Sequence, residues 1–196
     1  MTASAGWPWA FYINLPVGLW ALWRSASGRI AAWADRCPHR GMRLSHGFVR
    51  GEALSCIYHG WSYAQSGQCQ RIPAHPDLDP PEAIRVPVHH ATEAGGVIWV
   101  ALDTVTTAPP ALAGVQPLRS VTLDARFDPA SAGLTESGGA WRGTLGGVAV
   151  AVLVQPLPDA RCVLHVLADA TATPAQLVAV SRAVETLRRQ AEGAFA

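Results

Sequence analysis

Cys37-Pro38-His39-Arg40-Gly41 and Cys56-Ile57-Tyr58-His59-Gly60-Trp61 decide how this chain folds and what it can hold. Sixteen residues separate His39 from Cys56. Each string pairs one cysteine with one histidine at short range, C-x-H in the first and C-x-x-H in the second. Spacing this short requires each loop to fold back tightly. Pro38 fixes φ, and Gly41 and Gly60 admit positive φ, so both loops carry residues suited to a tight reversal. Two thiols and two imidazoles are metal donors, and donor type alone leaves two readings. A Cys2His2 set binds structural zinc at a spacing not far from this one. The same four donors, two per iron, suit a [2Fe–2S] core in which histidines replace two cysteines.

The residues around the two strings separate these readings. Leu44-Ser45-x-Gly47, then Gly67, then Ile72-Pro73 follow in order. With them, residues 18–102 resemble the Rieske [2Fe–2S] domain of bacterial ring-hydroxylating and demethylating oxygenases and their ferredoxins. The resemblance covers just under half the chain. It implies that Cys37 and Cys56 hold an inner iron as thiolates, and that His39 and His59 hold an outer iron through ring nitrogens. Neutral imidazole in place of thiolate removes negative charge and raises the potential, to about −150 to +300 mV against about −400 mV for an all-cysteine plant-type ferredoxin. Respiratory Rieske proteins carry an extra cysteine in each loop, joined as a disulfide. Here Arg40, Gly41, Met42 and Ile57 occupy those neighbourhoods. That departure, with Tyr58 and Trp61, matches the oxygenase-type loop and the lower part of the potential range. The fold implied is mainly β. It is a Rieske-type antiparallel β-sandwich with a cluster-binding subdomain, followed by a small α+β region ending in a long helix.

Composition sets the outer bounds. The 196 residues suit one or two small domains, and 49% are apolar, enough for a core. All 15 basic residues are arginine, against 14 acidic ones, so nothing in the charge balance points to nucleic acid. Cys69 and Cys162 remain after the four donors are set aside. They are read as free thiols in a reducing, cytoplasmic compartment.

The N-terminal segment 1–17 is atypical. No charged residue precedes Arg24, and Trp7 to Trp23 is nearly all apolar. The run is short for a membrane span, and Pro8, Asn14, Pro16 and Gly18 interrupt it, so a membrane role is not expected. Gly6 to Gly18 resembles a stretch common in fourteen-helix drug/proton antiporters; an apolar strand is the other reading. The Rieske resemblance would place one or two strands ahead of Val17, and these are expected to be missing or replaced. Val17–Arg24 and Arg29–Trp33, joined through Ser25-Ala26-Ser27-Gly28, predict a hairpin.

Further strands are expected at Phe48–Leu54 (a short hairpin), Trp61–Tyr63, Ile84–Val88 and Gly96–Leu102, with an irregular segment over Ala74–Glu82. Residues 103–117 are rich in Thr, Ala and Pro and are read as a linker. Over 118–196, strands are predicted at Ser120–Phe127, Gly147–Gln155 and Cys162–Ala168. A helix then begins with Thr173 as N-cap and Pro174 at its first position, presents Leu177, Val180, Val184, Leu187 and Ala191 on one face, and stops at Gly193. Strands followed by a long terminal helix resemble the end of the oxygenase catalytic domain.

A complete oxygenase α subunit adds a mononuclear iron held by two histidines and one carboxylate. After His90 this sequence has one histidine, His165, expected to be packed or on the surface. Complete oxygenase activity within this chain is therefore not expected, and no catalytic residue is assigned. Three readings follow: a Rieske electron-transfer protein, served by a flavin or ferredoxin reductase and passing its electron to an oxygenase subunit; a truncated or reduced oxygenase α subunit without its mononuclear iron; and a Cys2His2 zinc or non-redox interaction module. Oligomeric state is not indicated. Arg36, Arg40, Arg43, Arg50 and Arg71 predict a basic rim that would attract an acidic redox partner. Ser62 or Tyr63 is expected to hydrogen-bond a ligand cysteine, and Trp61 to pack beneath the loops.

Overall fold

The computed structural model describes residues 11–15, 18–101, 105 and 108–193. The chain divides into two compact units, Met1–Thr92 with Trp99–Thr106, and Glu93–Ile98 with Thr107–Ala196.

The first unit is built on the expected hairpin. β2 (Gly18–Arg24) and β3 (Ile30–Ala34) pair antiparallel with Trp23 opposite Ala31 and Trp20 opposite Ala34. β1 (Phe11–Leu15) pairs with the other edge of β2, so the part of the apolar segment that lies among the described residues is an added strand. The remainder of the antiporter-like stretch falls outside them. A second sheet follows, β4-β5-β6-β7, from β4 (Phe48–Arg50), β5 (Ala53–Ser55), β6 (Ser62–Ala64) and β7 (Cys69–Arg71). Each strand is three residues long, because the cysteine loops and tight turns consume the chain between them. β8 (Val88–Ala94) and β9 (Val97–Ala101) return to the first sheet, whose order is β1-β2-β3-β8-β9.

The strand expected at Ile84–Val88 is not a ladder strand; β8 starts at Val88. Pro87 has no N–H to donate, and the residues before it bond singly, Cys69 N–H to the Ile84 carbonyl (3.0 Å) and Val86 N–H to the Gly67 carbonyl (2.9 Å). Gly67 permits that approach: at φ +80°, a Cβ there would sit 2.2 Å from the Val86 carbonyl oxygen. The turns of the two sheets are clamped together by Glu52, whose carboxylate accepts from the Ser27 N–H and hydroxyl (both 2.8 Å) and from Arg29 (3.1 Å). The core of this unit joins Trp23, Trp33, Leu44, Leu54, Tyr63 and Val86 to the sulfurs of Cys37, Cys56 and Cys69.

The second unit is a five-stranded antiparallel sheet, β10-β14-β13-β12-β11, with one long helix. Its strands are β10 (Val115–Leu123), β11 (Thr135–Ser137), β12 (Ala140–Leu145), β13 (Val148–Pro156) and β14 (Cys162–Asp169). β10 starts inside the stretch read as a linker, held by pairing of Val115 and Gln116 with Asp169 and Ala168. β11 and β12 carry no strong apolar alternation and were not expected. The helix α1 (Pro174–Ala191) has the expected start: Thr173 and Gln176 form a reciprocal capping box. Val180 and Val184 are fully buried, and Leu177, Leu187 and Ala191 pack on the same core. Among the described residues no helix is long and apolar enough to cross a membrane.

Candidate iron-sulfur site

The two ligand-type loops are backbone copies of one turn. In each, the cysteine carbonyl accepts from the glycine N–H four residues on: Gly41 to Cys37 at 2.8 Å, Gly60 to Cys56 at 3.0 Å. In each, the cysteine N–H donates to the carbonyl five residues on: Cys37 to Met42 at 2.8 Å, Cys56 to Trp61 at 2.9 Å. Gly41 and Gly60 take φ +72° and +70°, the left-handed conformation that closes these reversals. The first loop is followed by a 3-10 turn, Leu44–His46. Asp35 fastens that turn. It is 5% exposed and accepts from the Ser45 N–H and hydroxyl, both at 2.7 Å. Sequence reasoning gives Asp35 no role; its place two residues before Cys37 is the available signal.

The four donors come together as two pairs. Cys37 and Cys56 are buried, each 2% exposed. His39 is half-buried and His59 exposed, with ring centroids 4.6 Å apart. Burial pushes the Cys56 thiol up, and the proximity of Cys37 adds to that rise. The backbone N–H groups of Tyr58 and His59 aim at the same sulfur and favour the thiolate. A thiolate buried in this way calls for a cation, and a coordinated metal supplies one and deprotonates the thiol outright. Desolvation, then the neighbouring His59 ring and Arg40, hold the His39 imidazole below its ordinary range, which favours the neutral form that ligates. Among the described residues no three or more His, Cys, Asp or Glu groups converge to hold a single ion. A buried sulfur pair and an outer imidazole pair fit a binuclear cluster, two donors to each iron.

The surrounding side chains settle which neighbours touch the donors. The Tyr63 hydroxyl lies 3.1 Å from Cys37 Sγ. Burial, then Cys37, push that phenol upward, so it keeps its proton and can donate to a Cys37 thiolate. Of the two residues expected to reach a ligand sulfur, Tyr63 is therefore the one placed to do so. Trp61 packs against the buried core that holds Cys37 and Cys56, and its ring also stacks on His39 at 4.3 Å with an interplanar angle of 4°. Tyr58 tilts against His59 at 3.9 Å, yet remains 56% exposed, as does Ile57. On the expected basic rim, the Arg36 guanidinium lies against Gly41 and Arg50 lies over the Phe48 ring. Cys69 and Cys162 are free and buried. His165 sits in the second unit with both nitrogens engaged, Nδ1 with Ser120 Oγ at 2.7 Å and Nε2 with Gln155 Oε1 at 3.0 Å.

The Rieske [2Fe-2S] domain family matches residues 15–88, the segment that holds both loops. This chain carries a Rieske [2Fe–2S] domain. A Rieske domain implies a Rieske-type [2Fe–2S] cluster, and the chemistry of the donor set described above agrees with it. The chain is 41% identical over 117 residues to oxidoreductase NdmD of Pseudomonas putida, a match covering 55% of this chain and 20% of that protein. It is 44% identical over 73 residues to methylxanthine N1-demethylase NdmA of the same species, covering 37% of this chain and 21% of that one. The matches thus span about a fifth of the length of these relatives. Among solved structures, apo dicamba monooxygenase superposes with a TM-score of 0.72 at 17% identity, over 94% of this chain and 81% of that one. That likeness is one of fold, and it runs past the Rieske domain into the second unit.

Proposed function

We propose that Cys37 and Cys56 hold the inner iron and His39 and His59 the outer iron of the Rieske cluster, and that the chain transfers single electrons as a component of an oxygenase-type redox system. The observation that carries this is the division of the donors into a buried thiol pair and an outward imidazole pair. When bound, the cluster supplies reversible one-electron storage. The protein's own part is to bury the sulfurs in the Trp33–Leu44–Leu54–Tyr63 core, to aim Tyr58 and His59 N–H groups at Cys56, and to leave His59 facing solvent. Coupling to a partner is strongest through the exposed edge, so a flavin or ferredoxin reductase as donor and an oxygenase subunit as acceptor would both meet the imidazole side. The oxidoreductase and demethylase relatives support a redox setting of this kind. Four free cysteines are in keeping with a reducing, cytoplasmic environment.

A second reading concerns residues 118–196, beyond the stretch 103–117 that composition marks as a linker and whose last residues enter β10. We read them as a shortened remnant of an oxygenase catalytic region, because the fold likeness to a monooxygenase continues through them. They offer one histidine, His165, whose two nitrogens are already used, so a two-histidine iron site is not built from them.

Anaerobic reconstitution of the full chain tests the first reading. The expected product is red-brown, contains iron and sulfide in equal amount, and gives a Rieske EPR signal on reduction. Cys56→Ser should abolish that signal, and His39→Cys should lower the potential because it adds thiolate charge. A colourless protein with stoichiometric zinc would overturn the assignment in favour of a Cys2His2 zinc module.

A further inference from the structure

The two loops share one backbone pattern but treat their histidines differently. Trp61 and Met42 occupy equivalent places, each lending its carbonyl to the cysteine N–H of its own loop. From that shared place the Trp61 side chain crosses to the other loop and lies flat on His39. His59 has Tyr58 tilted against it at 39°, and Tyr58 is itself largely exposed. His39 is thus covered on one face and His59 is open.

We infer that Trp61 is a positioning residue for His39: its indole fixes the plane of that imidazole and shields the outer-iron ligand from water, making the two imidazoles unequal. This rests on the ligand assignment proposed above. Trp61 is suited to the task because it is held at both ends. Its carbonyl is tied to Cys56 at 2.9 Å, and its ring packs against the buried core that also contains Cys37 and Cys56. A parallel stack leaves the imidazole free to rotate only by losing contact with the indole face. Side chains that orient a metal-bound histidine support both ligand geometry and metal retention.

The test uses the reconstituted full chain with Trp61→Met and Trp61→Phe. Met stands at the equivalent place in the first loop, so this backbone accepts it, whereas Phe keeps a flat ring. In the reduced protein, the nitrogen hyperfine couplings of the two imidazoles are read by pulsed EPR, and cluster loss is timed against an iron chelator. Trp61→Met is expected to change one imidazole coupling, leave the other, and weaken retention about tenfold; Trp61→Phe is expected to restore both readouts. Unchanged couplings and retention in Trp61→Met, or a Phe variant that behaves like Met, would overturn the inference. In the unmodified protein, deuterium couplings in heavy water are expected to differ between the two imidazoles; equal couplings would overturn the shielding even if no variant folds. Absence of any Rieske signal in the unmodified protein would instead defeat the ligand assignment.

Discussion

The Tyr63 hydroxyl is 3.1 Å from Cys37 Sγ, and both groups are buried, Tyr63 completely. An O–H donated to a ligand sulfur draws electron density from it and makes the added electron less costly. Tyr63→Phe keeps the ring and removes the donor. The expected outcome is a lower reduction potential with an intact cluster, and about tenfold weaker metal retention. Protein-film voltammetry checks it; a potential equal to that of the unmodified protein would show that the hydroxyl does not donate to the sulfur.

Gly67 and Gly51 make a matched pair. Both have positive φ, +80° and +60°. A Cβ on Gly67 would meet the Val86 carbonyl oxygen at 2.2 Å, while one on Gly51 would meet nothing within 4 Å. Gly51→Ala should therefore cost about 1–2 kcal/mol, the left-handed strain alone. Gly67→Ala should cost about 1–3 kcal/mol more, because the backbone of the 84–86 segment must shift. Chemical denaturation of the two variants side by side measures the difference, and equal losses would refute it.

Glu52 supplies a pH-dependent clamp. Its bonds from the Ser27 hydroxyl, then Arg29, then the Ser27 N–H hold its carboxyl at about 2, well below the usual 4.5. A carboxyl depressed by folding stabilises fully above its unfolded value, and the gain is lost as pH falls through the folded one. The stability difference between the unmodified protein and Glu52→Gln should therefore be greatest above pH 4.5 and shrink toward pH 2. The Arg29–Glu52 pair is exposed, so high salt should reduce its share of the difference. Thermal midpoints against pH provide the check. A gap that widens toward acid would show that folding does not depress the Glu52 carboxyl.

Thr173→Ala removes one half of the capping box at the start of α1. The expected loss is about 1 kcal/mol. Faster amide exchange should appear in the first turns of Pro174–Ala191, with the cluster spectrum unchanged. An unaltered exchange rate there would show that tertiary packing alone holds the helix end.

Much of the site was legible in the chain because its chemistry is local. Cys37 with Gly41, and Cys56 with Gly60, close their turns through bonds spanning four and five residues, so short strings specify them. The helix was legible for the same reason: a cap, a proline and a 3.6-residue apolar stripe lie within one segment. What was misjudged is non-local. Ile84–Val88 looked like a strand by composition, but Pro87 and the close approach of Gly67 turned it into a crossing. β11 and β12 have little pattern of their own and are strands because β13 pairs with β12 and β12 with β11.

The sequence alone carried the proposed donor set, the disulfide-free loops and the Rieske character of residues 15–88, since each depends on residue type at short spacing. The tertiary structure alone decided that Tyr63 rather than Ser62 reaches Cys37, that Trp61 covers His39, that Asp35 fastens the 3-10 turn, and that His59 stays open. Those relationships join residues from different strands and loops, and their distances come into being only when the sheets pack.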